Sequence, residues 1–260
     1  MTVVVLDRPP ATGALPYAEW LAGSGRDLVL LTGTPGPRPG FTEVHVMARY
    51  AVTAAVETTV LALARRSPVT AVVALDPADQ LRAGALRDLL GVPGQSRDTA
   101  RLLLDPIASA DVLRRSGIPV VRRAEVRRVL DLYRYGHEWG YPLVVRRRRA
   151  AGRRVLAVLE DEAALRSFVR GGLTSGRAGS VPDLTVEPPC PGARHVGPGL
   201  AVTDAALAAL PVEPGHPRVV EAVRADGDWL IDGVRYEPAE DPRAQVRAQV
   251  SSAGLALEGI

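Results

Sequence analysis

The sequence predicts an α/β protein: a small parallel sheet in the first hundred residues, followed by an α+β arrangement of helices around a hairpin. Three observations lead there. Thr2–Leu6 is an unbroken apolar run, the pattern of a strand buried on both faces. Strand and helix patterns then alternate as far as Leu90, which argues for parallel strands joined by covering helices. Beyond Ser96, two β-type runs, Leu143–Val145 and Val155–Val158, flank a stretch with six arginines and one glycine, as a hairpin with a basic tip would.

Leu15–Ala22 is a short helical stretch and Asp27–Leu31 a second buried strand. The Pro/Gly-rich segment Thr34–Gly40 is a loop. Val52–Arg65 repeats apolar residues at helical spacing, and Val69–Leu75 returns to a strand that ends at Asp76. Ala78–Leu90 is a helix closed by Gly91. Ligands of parallel sheets gather at the carboxyl ends of the strands, here near Asp7, Thr32 and Asp76. No Gly-x-Gly-x-x-Gly follows the first strand, so dinucleotide binding is not supported. Ala108–Arg115 is an amphipathic helix stopped by Gly117, and Ala124–Glu138 a longer one with Val126, Val129, Leu130 and Tyr133 on one face. After the hairpin come a helix with an acidic first turn, Asp161–Arg170, and a connector, Gly171–Pro182. Thr185–Glu187 and His195–Val196 read as short strands and Thr203–Leu210 as a helix. Asp228–Ile231 and Gly233–Tyr236 are expected to pair across Asp232-Gly233, because Asp-Gly favours a tight turn. Asp241–Ala253 is a closing helix that ends at Gly254.

At 260 residues, 47% hydrophobic and 23% charged, the chain has the composition of a globular protein with a real core. The single cysteine, Cys190, excludes an internal disulfide framework and suits a reducing compartment. Met1–Leu6 lacks the features of a secretory signal and no apolar segment is long enough to span a bilayer, so a cytoplasmic location is expected and a membrane is not an expected partner. All 32 basic residues are arginine; lysine and asparagine are both absent. Arginine keeps the attraction for phosphate and adds a planar, bidentate fork. Acidic residues are interspersed and aromatics make up only 4%, so nucleic acid is not an expected partner either. The four histidines are scattered, and no Ser/His/Asp or Cys/His arrangement emerges from the spacing.

Gly-Tyr-Pro-Leu-Val-Val at Gly140–Val145, followed by a basic residue and a glycine-containing loop, resembles the nucleotide-clamping hairpin of the ATP-grasp superfamily. Leu86–Gly94 resembles the end of the domain that precedes that fold in carboxylate–amine ligases. Ala100–Val121 is similar to the helix and Gly-Ile-Pro strand entry that follow, and Thr185–Leu200, with Val186-Glu187 and Pro191-Gly192, to the hinge strand against which adenine sits. The pieces stand in the family's order, which makes the set far more specific than any one of them.

The resemblance implies a pre-ATP-grasp parallel α/β domain at 1–96, an ATP-grasp small α+β lobe with the clamp hairpin at 97–184, and a shortened second lobe at 185–260, together an incomplete ATP-grasp fold. It implies ATP as the cofactor, met by Arg146 in place of the clamp's phosphate-binding lysine, by Arg148 beside it, and by Glu187 as the hinge glutamate. Members of the family join a carboxylate to an amine through an acyl phosphate and hold magnesium on carboxylate and asparagine ligands. Here the second lysine, expected just after Asp105, is Pro106, and the acidic residue expected a turn beyond Glu187 falls at Ala193 or Arg194. The magnesium-binding Glu-x-Asn-x-Arg has no counterpart in a chain without asparagine. Glu213, Glu221, Asp226 and Asp228 show no ligand spacing, so neither a metal site nor a catalytic residue is assigned. The expected function is a non-catalytic binding or partner subunit in a biosynthetic pathway, acting as a homodimer or with an active ligase or other biosynthetic enzyme. The alternative is an active ATP-dependent carboxylate–amine (peptide-bond-forming) ligase, its missing ligands supplied by unrecognised carboxylates or by a second chain. In a third reading, Arg146–Arg149 holds a phosphorylated metabolite or nucleic acid without turnover.

Overall fold

The computed structural model describes residues 1–8, 14–148, 154–172, 183–211, 213–237 and 239–251. The chain divides into two compact units, one made of Met1–Arg101, Pro211–Arg218 and Tyr236–Ile260, the other of Leu102–Leu210 and Val219–Arg235. The segment 185–260 is therefore shared between them.

The first unit starts with β1 (Thr2–Asp7), α1 (Tyr17–Trp20), β2 (Asp27–Thr32), β3 (Glu43–Val46), α2 (Ala55–Arg66) and β4 (Val69–Ala74). A 3-10 turn, Pro77–Asp79, leads into α3 (Gln80–Leu90), which Gly91 closes in the left-handed conformation at φ 64°. The strands form a sheet in the order β3-β2-β1-β4, parallel throughout. Every residue of β1 is buried. Val3 and Val5 face a core that contains Tyr17, Leu21, Val246 and Val250, while Val4 and Leu6 face Val56, Val60, Ala83 and Leu86 on the other side. An apolar layer on each face explains why the β1 sequence does not alternate. β3 was not anticipated. It is an edge strand whose residues alternate between half-buried and exposed, so Glu43 and His45 interrupt any apolar run.

The second unit takes over within α4 (Arg97–Leu104). It continues with α5 (Pro106–Arg115), β5 (Ala124–Val126), α6 (Val129–Trp139), β6 (Leu143–Arg147), β7 (Val155–Leu159), α7 (Glu162–Gly172) and β8 (Leu184–Glu187). Then follow β9 (Arg194–Val196), α8 (Ala201–Ala209), β10 (Arg218–Ala225) and β11 (Asp228–Tyr236), before α9 (Pro242–Ser251) returns the chain to the first unit. One sheet, β5-β8-β6-β7, is antiparallel; the other runs β11-β10-β9. The expected hairpin is present, with Leu143 opposite Leu159 and Val145 opposite Ala157; its tip, 149–153, lies outside the described residues. Leu132, Leu143, Val145, Leu165, Leu184 and Val186 pack as the core beneath it.

Three expectations need correction. The helix expected over Ala124–Glu138 is a strand followed by a helix. Glu125 pairs with Thr185 in the sheet, and α6 starts only at Val129, where the Asp131 carboxylate accepts the Arg127 and Arg128 amides at 2.9 Å. Leu130, placed on the apolar face by its spacing, is 66% exposed. The second correction concerns the turn. Asp232-Gly233 lies inside β11, and the turn is made by the other Asp-Gly pair, Asp226 (φ 52°) and Gly227 (φ 92°), which joins β11 to an unanticipated β10. Both dipeptides can form a turn, and long-range pairing selects one of them. The expected connector also begins later, since Gly171 and Gly172 belong to α7 and 173–182 lie outside the described residues.

Side chains close the outer edge of β4. Gln249 of α9 donates to the Ala74 carbonyl at 3.0 Å and accepts the Ala74 amide at 3.1 Å, as a neighbouring strand would. Arg87 donates to the Val72 carbonyl through Nε at 3.1 Å and Nη2 at 2.6 Å. An edge satisfied in this way has few free groups to offer another chain.

Candidate functional site

Arg146 and Glu187, the residues expected at a clamp and a hinge, meet in a chain of ion pairs built around Arg123. The backbone before it is held against β11: the Val121 amide donates to the Ile231 carbonyl and the Ile231 amide to the Pro119 carbonyl, both at 2.9 Å. One residue later β5 begins and pairs with β8. Arg123 thus stands where the chain leaves one sheet for the other, and its side chain reaches both. Nε donates to Glu187 Oε2 at 2.5 Å, Nη1 to the Asp232 carbonyl at 2.9 Å and Nη2 to Asp232 Oδ1 at 2.9 Å. Arg146, opposite Thr185 on the strand beside β8, donates from Nε to Glu187 Oε1 at 2.5 Å. Arg194 completes the chain on Asp232 Oδ2 at 2.6 Å, and this bond holds its guanidinium above the ordinary arginine value. The Arg123 side chain is 2% exposed and that of Glu187 5%, so each charge depends on its partners in place of water.

Arg148 belongs to a second cluster. It binds Asp105 as a two-pronged fork, Nε to Oδ1 and Nη2 to Oδ2, both at 2.8 Å, and its Nη1 reaches Glu125. Asp105 also caps α5 by accepting the Ile107 amide at 3.1 Å. Burial pushes the Asp105 carboxyl up, but Arg148 and the amides of Ile107 and Ala108 outweigh it and hold the group below the usual carboxylate range. Pro106, standing where a lysine was expected, is the first residue of that helix, where its missing N–H costs nothing.

Of the three residues selected from sequence, the structure joins Arg146 to Glu187 and places Arg148 on Asp105. Arg123 and Asp232 were missed. Arg123 is one arginine among many, and Asp232 stands in an Asp-Gly pair that reads locally as a turn. Magnesium-bound ATP would need cations directed at its phosphates and oxygen ligands for the metal. Arg146 and Arg148 are directed at protein carboxylates, Glu187 already receives two guanidinium groups, and no group of three His, Cys, Asp or Glu suited to a metal occurs among the described residues. As arranged, these residues do not fit that ligand.

No family model and no curated protein matches the chain by sequence. Solved structures do match it. The L-amino acid ligase from Bacillus licheniformis aligns at a TM-score of 0.63 and 14% identity over 94% of this chain and 68% of that one. The RimK domain protein ATP-grasp from Sphaerobacter thermophilus aligns at 0.58 and 19% over 97% of both chains. N5-carboxyaminoimidazole synthetase from Staphylococcus aureus, complexed with ADP, aligns at 0.64 and 12% over 98% of this chain and 78% of that one. At these identities the likeness is one of fold, and that fold is ATP-grasp. In this chain it is a mixed α/β architecture, with one parallel sheet in the first unit and antiparallel pairing in the second. Among the described residues, no helix is long and apolar enough to cross a membrane.

Proposed function

We propose that this chain is a non-catalytic ATP-grasp protein that serves as a binding or partner subunit in a biosynthetic pathway. The observation that carries the reading is the closed chain Arg146–Glu187–Arg123: the clamp cation and the hinge carboxylate neutralise each other inside the protein. In this reading Arg146 and Glu187 mark the former nucleotide position, and Arg148 anchors the base of the hairpin to α5. The partner is a second copy or an active biosynthetic enzyme, and the location is the cytoplasm. Isothermal titration with ATP and magnesium is expected to be silent. An assay of ADP release over a panel of amino acids, run alongside, is expected to show no turnover. The alternative, a working ATP-dependent carboxylate–amine ligase, draws support from the fold it shares with the L-amino acid ligase. Tight magnesium-dependent binding with ADP release would establish that alternative.

A further inference from the structure

We propose that Arg123 and Arg146 form a two-arginine clamp for a small oxyanion and that Glu187 is its built-in occupant; this rests on the reading above that clamp and hinge are closed on each other. Two guanidinium groups from different segments converge on one carboxylate and take one oxygen each, both through Nε at 2.5 Å. A phosphate or a ligand carboxylate between two arginines is held in the same way.

The two arginines are not equivalent. Arg123 is fixed independently of Glu187, through the Asp232 carbonyl and carboxylate, so one half of the clamp keeps its aim if Glu187 lets go. The Arg146 side chain is 20% exposed, ten times the fraction for Arg123, and so has access to solvent anions. Glu187 is the last residue of β8 and is followed by Pro188-Pro189, which restrict how far its backbone can withdraw the carboxylate. The acid therefore occupies the clamp as a tethered ligand at a high effective concentration, and a free anion has to compete with it.

Glu187→Gln removes the charge of the occupant while nearly keeping its shape. Thermal melting would be followed against tripolyphosphate, inorganic phosphate and acetate in separate arms, all without magnesium. The wild-type chain is expected to show no shift, whereas E187Q gains affinity at least tenfold over wild type for one or more of these anions. Adding Arg146→Ala abolishes the gain. Phosphate-only and carboxylate-only gains each support the clamp and identify its ligand chemistry. An E187Q protein that melts cooperatively without gaining affinity overturns the proposal, as does a gain that survives R146A or a wild-type chain that already binds the metal-free anions. If E187Q loses its cooperative melt, restoration of that melt by phosphate, tripolyphosphate or acetate, but not by chloride at equal ionic strength, supports the clamp, and no restoration overturns it. Magnesium-dependent ADP release by the wild-type chain would overturn the proposed function, whereas the clamp is decided by the metal-free arms.

Discussion

Each unit contains a fully buried arginine, and the two are held in opposite ways. Arg87, 2% exposed, donates to the carbonyls of Val72 and Gln95 and to the Gln249 side-chain oxygen, with no ion pair among the described residues. Arg123 donates to two carboxylates and a carbonyl. Carbonyl dipoles satisfy the hydrogen bonds of a guanidinium but only part of its charge, and burial lowers Arg87 to about 10. Carboxylates satisfy both. Arg87 therefore acts as a peg on a strand edge, while Arg123 is one link in an ion network whose members could exchange partners with a ligand. A site can be closed by its own charges only where both signs have been buried together.

The largest test of this contrast is Arg123→Met. It leaves Glu187 and Asp232 buried with fewer partners and is expected to cost about 3–5 kcal/mol of unfolding free energy in urea. A loss below about 1 kcal/mol would mean that Arg146 and Arg194 can carry the carboxylates alone. Arg87→Met is expected to cost less, about 1–3 kcal/mol, because the lost donors at Val72 are offset by the removal of an unpaired buried charge. If Arg87→Met proved the costlier change, the contrast would be reversed.

The smallest effect is read as a pH slope. Burial, with a further push from Arg87, lowers the His216 imidazole to about 3, so the folded chain keeps it neutral while the unfolded chain protonates it at the ordinary histidine value. The folded pKa is depressed, so this contribution to stability is complete above the unfolded value and is lost as pH falls towards the folded one. Between pH 6.5 and 4, His216→Gln is expected to flatten the fall in stability, and Arg87→Met to flatten it in part. An unchanged slope in Arg87→Met would show that the two groups do not interact.

Much of the first unit was legible because burial there leaves local marks. β1, β2 and β4 are apolar runs, α2 and α3 carry helical spacing, and Gly91 closes α3 where a left-handed residue is needed. β3 left no such mark, since one of its edges faces no strand among the described residues. In the second unit, the β6–β7 hairpin was legible from its valines, but β5 was absorbed into a helix pattern that Val126 happened to continue. Arg146 and Glu187 were singled out through a motif, and pairing across neighbouring strands brings them together. Arg123 and Asp232, 109 positions apart, had no local signal at all.

The sequence by itself determined which segments are buried on both faces and where the basic hairpin lies. Tertiary structure decided which Asp-Gly turns the chain, which arginine becomes the centre of the ion network, and that Arg146 faces Glu187. Apolar burial follows from residue type and short-range period, which a sequence displays directly. A charge takes its role from the partner that replaces its water, and that partner is chosen by how distant strands come into register.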